Sequence, residues 1–147
     1  MFLYVNSSSS LDIFPTNKPW KFICQLARPI CSQNTYIGLK EIEIVCARQL
    51  IADLPDAGVY LMIEECSPSF LDYTSAPIIR KMSLLEFRKY TPVVRFDNTL
   101  YVRLRGKNTS TLTISLCPSD SSWTLTDEHL TGSTKCTFHI TDCPQNQ

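Results

Sequence analysis

Apolar and polar residues alternate along most of the chain, which is the pattern of half-buried β-strands. From Trp20 to Leu26 every second residue is apolar, and Lys21 and Gln25 occupy the opposite face. Between 36 and 46 the same alternation puts Ile42 on an apolar face. Together the pattern predicts about eight strands, at 20–26, 36–46, 59–63, 76–82, 93–96, 100–105, 111–116 and 135–141.

The segment from Leu100 to Arg105 predicts part of the protein's outer surface. Its alternation predicts that Leu100, Val102 and Leu104 point inward. The remaining side chains, Tyr101, Arg103 and Arg105, are then expected on one outer face. An aromatic residue between arginines is a composition typical of contact surfaces.

Helical periodicity is nearly absent, with one candidate at 82–90. Ser83 is a suitable N-cap, and Glu86 follows three residues later as in a capping box. Pro92 limits such a helix to a turn or two. The sequence therefore predicts at most one short helix.

A chain of strands without crossover helices excludes parallel βαβ units, because each crossover needs a dozen or more residues. Trp20 and Cys24 share one early strand, which does not match the immunoglobulin pattern. The prediction is an all-β protein, an eight-stranded antiparallel jelly-roll sandwich. Residues 1–18 are expected to form an N-terminal arm, flexible or clamped on a partner, and residues 19–147 a single jelly-roll domain.

Composition narrows the class of protein. The 147 residues are 44% hydrophobic, carry only four glycines and have a formal net charge of zero. A Gly-rich phosphate loop and a uniformly basic nucleic-acid binder are both excluded. The charge is nevertheless segregated, with −3 in residues 1–79, +6 in 80–107 and −3 in 108–147. The basic segment is read either as solvated strand faces or as a patch for nucleic acid or an acidic neighbouring subunit.

No constellation of residues indicates catalysis or a metal site. The nearest metal-like spacing is Cys136, His139 and Cys143, but a strand there puts Cys136 and His139 on opposite faces. His129 is the other histidine, and no nucleophile motif accompanies either one. The chain is therefore predicted to be no enzyme and to hold no metal or cofactor. Without a signal peptide or membrane span it is expected to be soluble, intracellular and not secreted.

Several motifs together resemble one family. These motifs are Phe2 to Ser10, Phe14-Pro15-Thr16-Asn17, Arg28-Pro29-Ile30, Ile37 to Ile42, Ala76 to Arg80 and Tyr90 to Val93. They resemble the small single jelly-roll capsid proteins of Polinton and adintovirus-like elements, over about residues 2–117. The strand after Ile42 and the tail after Pro118 depart from the family pattern.

The resemblance implies a penton or minor capsid subunit that assembles as a pentamer in an icosahedral virion. A neighbouring major capsid protein would be a second partner, and nucleic acid a further possible contact. The alternative is a non-enzymatic β-sandwich binding or adaptor module, such as a carbohydrate binder using Trp123 and Tyr73. The candidate interface residues are Phe2, Leu3, Tyr4, Arg80, Lys81, Arg88, Arg95, Tyr101, Arg103 and Arg105.

Overall fold

The computed structural model describes residues 1–31, 34–46, 58–71, 74–87, 93–106, 108–119 and 123–142. Within these ranges the chain forms eleven strands and one 3-10 turn, η1, at Leu84–Phe87. The strands are β1 (Phe2–Asn6), β2 (Lys21–Ile30), β3 (Tyr36–Glu43), β4 (Gly58–Ile63), β5 (Ser69–Leu71), β6 (Thr74–Ala76), β7 (Ile78–Ser83), β8 (Val93–Arg95), β9 (Tyr101–Arg103), β10 (Thr109–Pro118) and β11 (Lys135–Thr141).

Two antiparallel sheets account for nine of these strands. Sheet 1 has the order β1-β11-β3-β8, and β9 also pairs with β3, so β8 and β9 share one strand position. Sheet 2 has the order β2-β10-β4-β7, while β5 and β6 form a separate hairpin. Eight strand positions that repeatedly switch between two facing sheets define a jelly roll, which confirms the predicted fold class.

The alternation seen in the sequence becomes the core between the sheets. Phe22, Cys24 and Leu26 are buried on β2, while Lys21 and Gln25 are exposed, as predicted. Each large side chain that is fully buried contributes roughly 1.5–3 kcal/mol to folding. The largest of them are Phe22, Phe138, Ile37, Leu39, Ile42, Ile44, Leu61, Ile63, Met82, Leu84 and Leu112.

The N-terminal segment differs from the arm expected at 1–18. Strand β1 pairs along its length with β11, from Phe2 opposite His139 to Asn6 opposite Lys135. The side chain of Asn17 bonds both the N–H and the C=O of Ile23, at 2.9 Å each. The segment is thus an edge strand followed by a connection that Asn17 holds against β2. It joins the sheet because Leu3 and Val5 supply an inward apolar face that the sheet can bury.

Two local predictions have different outcomes. At 82–90 the described residues form the short turn η1, and Ser83 N–H donates to Glu86 Oε2 at 3.1 Å, as a capping box requires. Leu100 was predicted inward and is 45% exposed. The difference arises because β9 begins only at Tyr101, so Leu100 belongs to the connection from β8 and lies outside the alternation.

Candidate functional site

The outer face of sheet 1 gathers five of the predicted interface residues, Phe2, Tyr4, Arg95, Tyr101 and Arg103. Register places Phe2, His139, Gly38 and Tyr101 in one row across β1, β11, β3 and β9. The rings of Phe2 and His139 have centroids 5.1 Å apart, and those of Tyr101 and His139 are 5.8 Å apart. We call Phe2, Tyr101 and His139 the aromatic cluster.

Gly38 is the reason that Tyr101 can reach His139 across the intervening strand. A Cβ at position 38 would overlap the Thr99 methyl group and lie 3.0 Å from both Tyr101 Cδ1 and the Leu100 carbonyl oxygen. With no side chain there, the tyrosine ring lies over β3 and its hydroxyl is 2.7 Å from His139 Nδ1. Cross-strand packing of this kind stabilises a sheet.

The protonation of His139 is affected by this setting. Burial lowers the pKa of His139, and the nearby amino group of Met1 and the Lys40 ammonium lower that pKa further. A neutral imidazole is therefore favoured, since both desolvation and positive neighbours disfavour the charged form. The arrangement suits Nδ1 as the acceptor of the Tyr101 hydroxyl.

A second row beside the aromatic cluster is polar. Tyr4, Thr137, Glu41 and Arg95 lie side by side, and Arg95 Nε is 3.1 Å from Glu41 Oε2. Tyr4 is 75% exposed and Arg95 is also exposed. Lys135 and Glu43 form a further ion pair at 3.5 Å in the next row. These exposed pairs contribute little to stability, but they neutralise the charges around Tyr4.

Phe2, Tyr4 and Arg95 line the same open groove, which has a volume of about 900 Å³. Leu3 is not among the residues that line it. Leu3 instead lines a second groove of about 640 Å³ between β1 and β2. We call this second space the edge groove; its apolar lining includes Met1, Leu3, Leu26, Ile30 and Ile140.

The basic candidates on β7 lie at the opposite side of the sandwich. The Arg80 guanidinium stacks 4.2 Å from the Phe96 ring centroid and donates to the Asn98 carbonyl at 2.8 Å. Lys81 lies 5.9 Å from the centroid of the Tyr60 ring. Both cations thus use aromatic faces of this chain, an attraction of about 0.5–1 kcal/mol at exposed sites.

The remaining basic candidates are dispersed. Arg103 is exposed on β9 opposite Tyr36, and Arg105 donates to the Glu64 carbonyl beside the β10 start. Arg88 lies outside the described residues. The +6 segment therefore supplies positive groups to several places, and in Arg95 a carboxylate already offsets the charge.

The cysteines and the other aromatic candidates give no site. Among the described residues no group of three His, Cys, Asp or Glu side chains is placed to hold a metal. Cys136 is buried while His139 faces outward, as the strand prediction requires, and Cys143 lies outside the described ranges. Burial raises the pKa of the Cys24 thiol to about 11 and of the Cys66 thiol to about 12, so these thiols are unreactive at neutral pH. Trp123 packs against His129, with ring centroids 6.4 Å apart, and Tyr73 lies outside the described residues.

Three features of these surfaces were missed by sequence reasoning: Gly38, His139 as a partner of Tyr101, and the edge groove. Gly38 inside a strand is itself a signal of close backbone approach. Lys40 is an extra residue in β3, where the register with β11 shifts, and its Nζ donates to Thr99 Oγ1 at 2.8 Å. Such a bulge cannot be inferred from alternation along one strand.

Comparison with protein-family models, with curated proteins and with solved structures finds no match to this chain. In the described ranges, no helix has the length and apolar character needed to cross a membrane. The structure therefore defines the class as a jelly-roll β-sandwich, and function has to be argued from its surfaces.

Proposed function

We propose that this chain is a non-enzymatic structural subunit of a virion, a penton or minor capsid protein that self-assembles into a pentamer. The observation that carries the proposal is the jelly-roll strand order, β1-β11-β3-β8 facing β2-β10-β4-β7. The resemblance of residues 2–117 to single jelly-roll capsid proteins supports the same reading. A fold alone does not define function, so the surfaces have to supply the rest.

The two sides of the sandwich differ enough to support a ring. One side carries Arg80, Lys81 and Arg103, and the other carries the aromatic residues Phe2 and Tyr4. A closed ring needs heterologous contacts, in which one side of a subunit meets a different side of its neighbour. Apolar burial would supply the association energy, and the cations would set the register. A neighbouring major capsid protein is the expected second partner. Contact with the viral genome is supported only by the dispersed basic residues.

Native mass spectrometry combined with electron microscopy tests the pentamer. The expected result is a species of about five subunits and rings with five-fold symmetry. Lys81→Glu is expected to weaken the rings, because it reverses a charge on the basic side. Ser110→Glu adds a negative charge at an exposed position of β10, an internal strand of sheet 2, and serves as the control away from both lateral sides. A strictly monomeric chain at high micromolar concentration contradicts the proposal.

A binding module remains the second candidate, and one observation favours it. The groove lined by Phe2, Tyr4 and Arg95 combines exposed aromatic rings with carboxylate, ammonium and guanidinium groups. Ring faces with convergent polar groups are a common composition of ligand sites. Binding on a glycan array that is lost in Tyr4→Ala supports this function, and an array without signal removes it.

A further inference from the structure

The four edge strands of the two sheets are protected to different degrees. Exposed edges invite pairing with other chains, and proteins block them with charges, prolines, bulges or interruptions. Three of the edges here carry such features: Pro77, Arg80 and Lys81 at β7, Lys21, Arg28 and Pro29 at β2, and Arg95, Arg103 and an interrupting loop at β8 and β9. Strand β1, Phe2-Leu3-Tyr4-Val5-Asn6, carries none of them.

The backbone of β1 leaves a defined set of groups directed at this edge. Met1 C=O accepts from Ile140 N–H, and Ser7 N–H donates to Thr134 C=O, so odd-numbered residues bond toward β11. By alternation, the groups of Phe2, Tyr4 and Asn6 point away from β11. In the described part of the chain, no strand lies beyond β1 in sheet 1.

Asn6 is already engaged at this edge. Its C=O accepts from Ser9 N–H at 3.1 Å and from the Ser9 hydroxyl at 2.8 Å. The turn after Asn6 therefore closes that end of the edge. Phe2 and Tyr4 remain, each offering one N–H and one C=O at a spacing of two residues, which is the spacing that an added antiparallel strand uses.

The side chains on both faces of β1 also favour an added strand. On the outer face Phe2 is 55% exposed and Tyr4 is 75% exposed. On the inner face Leu3 opens into the edge groove, where Leu26, Ile30 and Ile140 present further apolar surface. A strand with alternating apolar residues would cover both faces at once.

We propose that β1 is a strand-addition site for β1 of a second copy of this chain, in an antiparallel two-fold contact centred on Leu3. In this register Phe2 of one copy lies opposite Tyr4 of the other, so the four unbonded groups of each copy's Phe2 and Tyr4 pair reciprocally. The existing bonds of Asn6 are retained. The two five-stranded sheets become one continuous sheet across the dimer.

Strand β1 is itself the occupant that this edge fits. The register puts Phe2 of each copy against Tyr4 of the other on the outer face, and aromatic cross-strand pairs are favourable. Leu3 meets Leu3 of the second copy on the inner face, at the mouth of the edge groove. No charged side chain lies in β1, and the neighbouring pairs Lys135–Glu43 and Arg95–Glu41 are internally neutral. The two charged side chains that line the edge groove, Arg28 and Asp142, are of opposite sign. Like charges therefore do not oppose the contact.

The contact is small compared with the roughly 1,600 Å² of a stable interface, so the dimer is expected to depend on concentration. It goes beyond the proposed pentamer, because a two-fold contact pairs the aromatic sides of two subunits with each other. A subunit whose Phe2 and Tyr4 are covered by a ring neighbour does not make it, so the ring contact and the two-fold contact are alternatives.

Disulfide cross-linking of the purified full-length chain tests the register, with Cys31→Ser in every variant because the exposed Cys31 thiol lines the edge groove beside Leu3. In Leu3→Cys the two new thiols lie on residues about 4.5 Å apart at the Cα atoms, as non-hydrogen-bonded pairs do, within the range for a disulfide. Thr137→Cys is the matched control, since its two copies would be at least about 14 Å apart at ~4.8 Å per strand. The expected result is roughly tenfold more linked dimer from Leu3→Cys than from Thr137→Cys or the parent chain.

Equal or absent cross-linking in the two variants overturns the proposal. That includes the case in which β1 accepts a segment of a different protein, because the purified chain then stays unlinked.

A proline variant tests the hydrogen bonds themselves. Tyr4 N–H points away from β11, so Tyr4→Pro removes a donor from the edge and none from the sheet. Sedimentation at high concentration is expected to show loss of the two-fold species in Tyr4→Pro and its retention in Tyr4→Phe, with unchanged circular dichroism. Should Tyr4→Pro not fold, Tyr4→Lys provides the same reading through charge.

An unchanged two-fold species in Tyr4→Pro or Tyr4→Lys overturns the proposal. Five-fold rings that persist in these variants leave the proposed function standing, while a β1 dimer without rings contradicts only the pentamer.

Discussion

The exposed strand edges on the two lateral sides of this sandwich are protected to different degrees. On the basic side, where β7 faces β8 and β9, Arg80 stacks on Phe96 and Arg95 pairs with Glu41. On the aromatic side, where β1 adjoins β2, Phe2 and Tyr4 remain exposed and uncharged. The basic side is thus stabilised by its own chain, while β1 presents a surface that another molecule can cover.

This difference indicates which side of the sandwich gains more from contact with another molecule. Arginine stems and guanidinium groups that lie on aromatic rings of the same chain are already partly desolvated, so they have less to gain from a partner. Exposed aromatic residues beside unpaired backbone groups have more to gain, since both are satisfied by one added strand.

The largest effect is expected from Gly38→Ala, which acts on the sheet that joins the two sides. The new Cβ would overlap the Thr99 methyl group and crowd the Leu100 carbonyl and the Tyr101 ring, the last two at 3.0 Å, and overpacking of this kind costs about 1–3 kcal/mol. Urea unfolding measures the loss in free energy of unfolding. In the double variant Gly38→Ala/Tyr101→Ala the losses should be less than additive, and strict additivity contradicts the ring-over-glycine contact.

On the basic side, Arg80→Ala is expected to lower the free energy of unfolding by about 1 kcal/mol, because it removes the contact with Phe96 and the bond to the Asn98 carbonyl. Arg28→Ala, on an exposed part of β2, is the control and should be close to neutral. Thermal unfolding of both variants decides the comparison. Equally small losses in the free energy of unfolding would show that the contacts of Arg80 do not stabilise the fold.

A smaller effect is expected from pH near the aromatic cluster. The pKa of His139 is lowered in the folded state from its ordinary value of 6.5, mainly by burial. The unfolded chain then binds a proton more readily, so the stability from neutral His139 is present above pH 6.5 and is lost as the pH falls below it. His139→Gln should flatten this part of the profile in thermal unfolding between pH 7.5 and about 5.5. If the parent chain and His139→Gln show the same pH dependence of thermal stability, that dependence arises from other groups.

The smallest effect on stability belongs to the aromatic side. Tyr4 is 75% exposed, so Tyr4→Ala should change the free energy of unfolding of the monomer by less than about 0.5 kcal/mol. The same variant should weaken self-association, measured by sedimentation at high concentration. A large loss of stability with unchanged association would reverse the assigned roles of the two sides.

The alternation predicted most of the strands, because each one has a single buried face whose period is two. It also predicted the Ser83–Glu86 capping contact, which is local in the chain. It failed at Leu100, where the regular pattern continues one residue beyond the strand itself. It also assigned β1 to an arm, because a five-residue strand is too short to distinguish from an extended tail by pattern alone.

The candidate surfaces were only partly predictable. Phe2, Tyr4 and Tyr101 stood out as aromatic residues among polar ones, but nothing along the chain shows that Phe2 and Tyr101 flank His139. The three residues come from β1, β9 and β11, and their meeting depends on strand order in sheet 1. The basic segment likewise is contiguous in sequence and dispersed in space.

The sequence by itself determined that this protein is an all-β sandwich with a segregated charge pattern, since burial of one strand face and the count of charges are properties of neighbouring residues. Only the tertiary structure decided which strands are edges, which backbone groups of Phe2 and Tyr4 stay unpaired, and which cations are held by their own chain. Those properties depend on contacts between residues far apart in sequence. Pairing of β1 with β11, for example, joins residues 2–6 to residues 135–139.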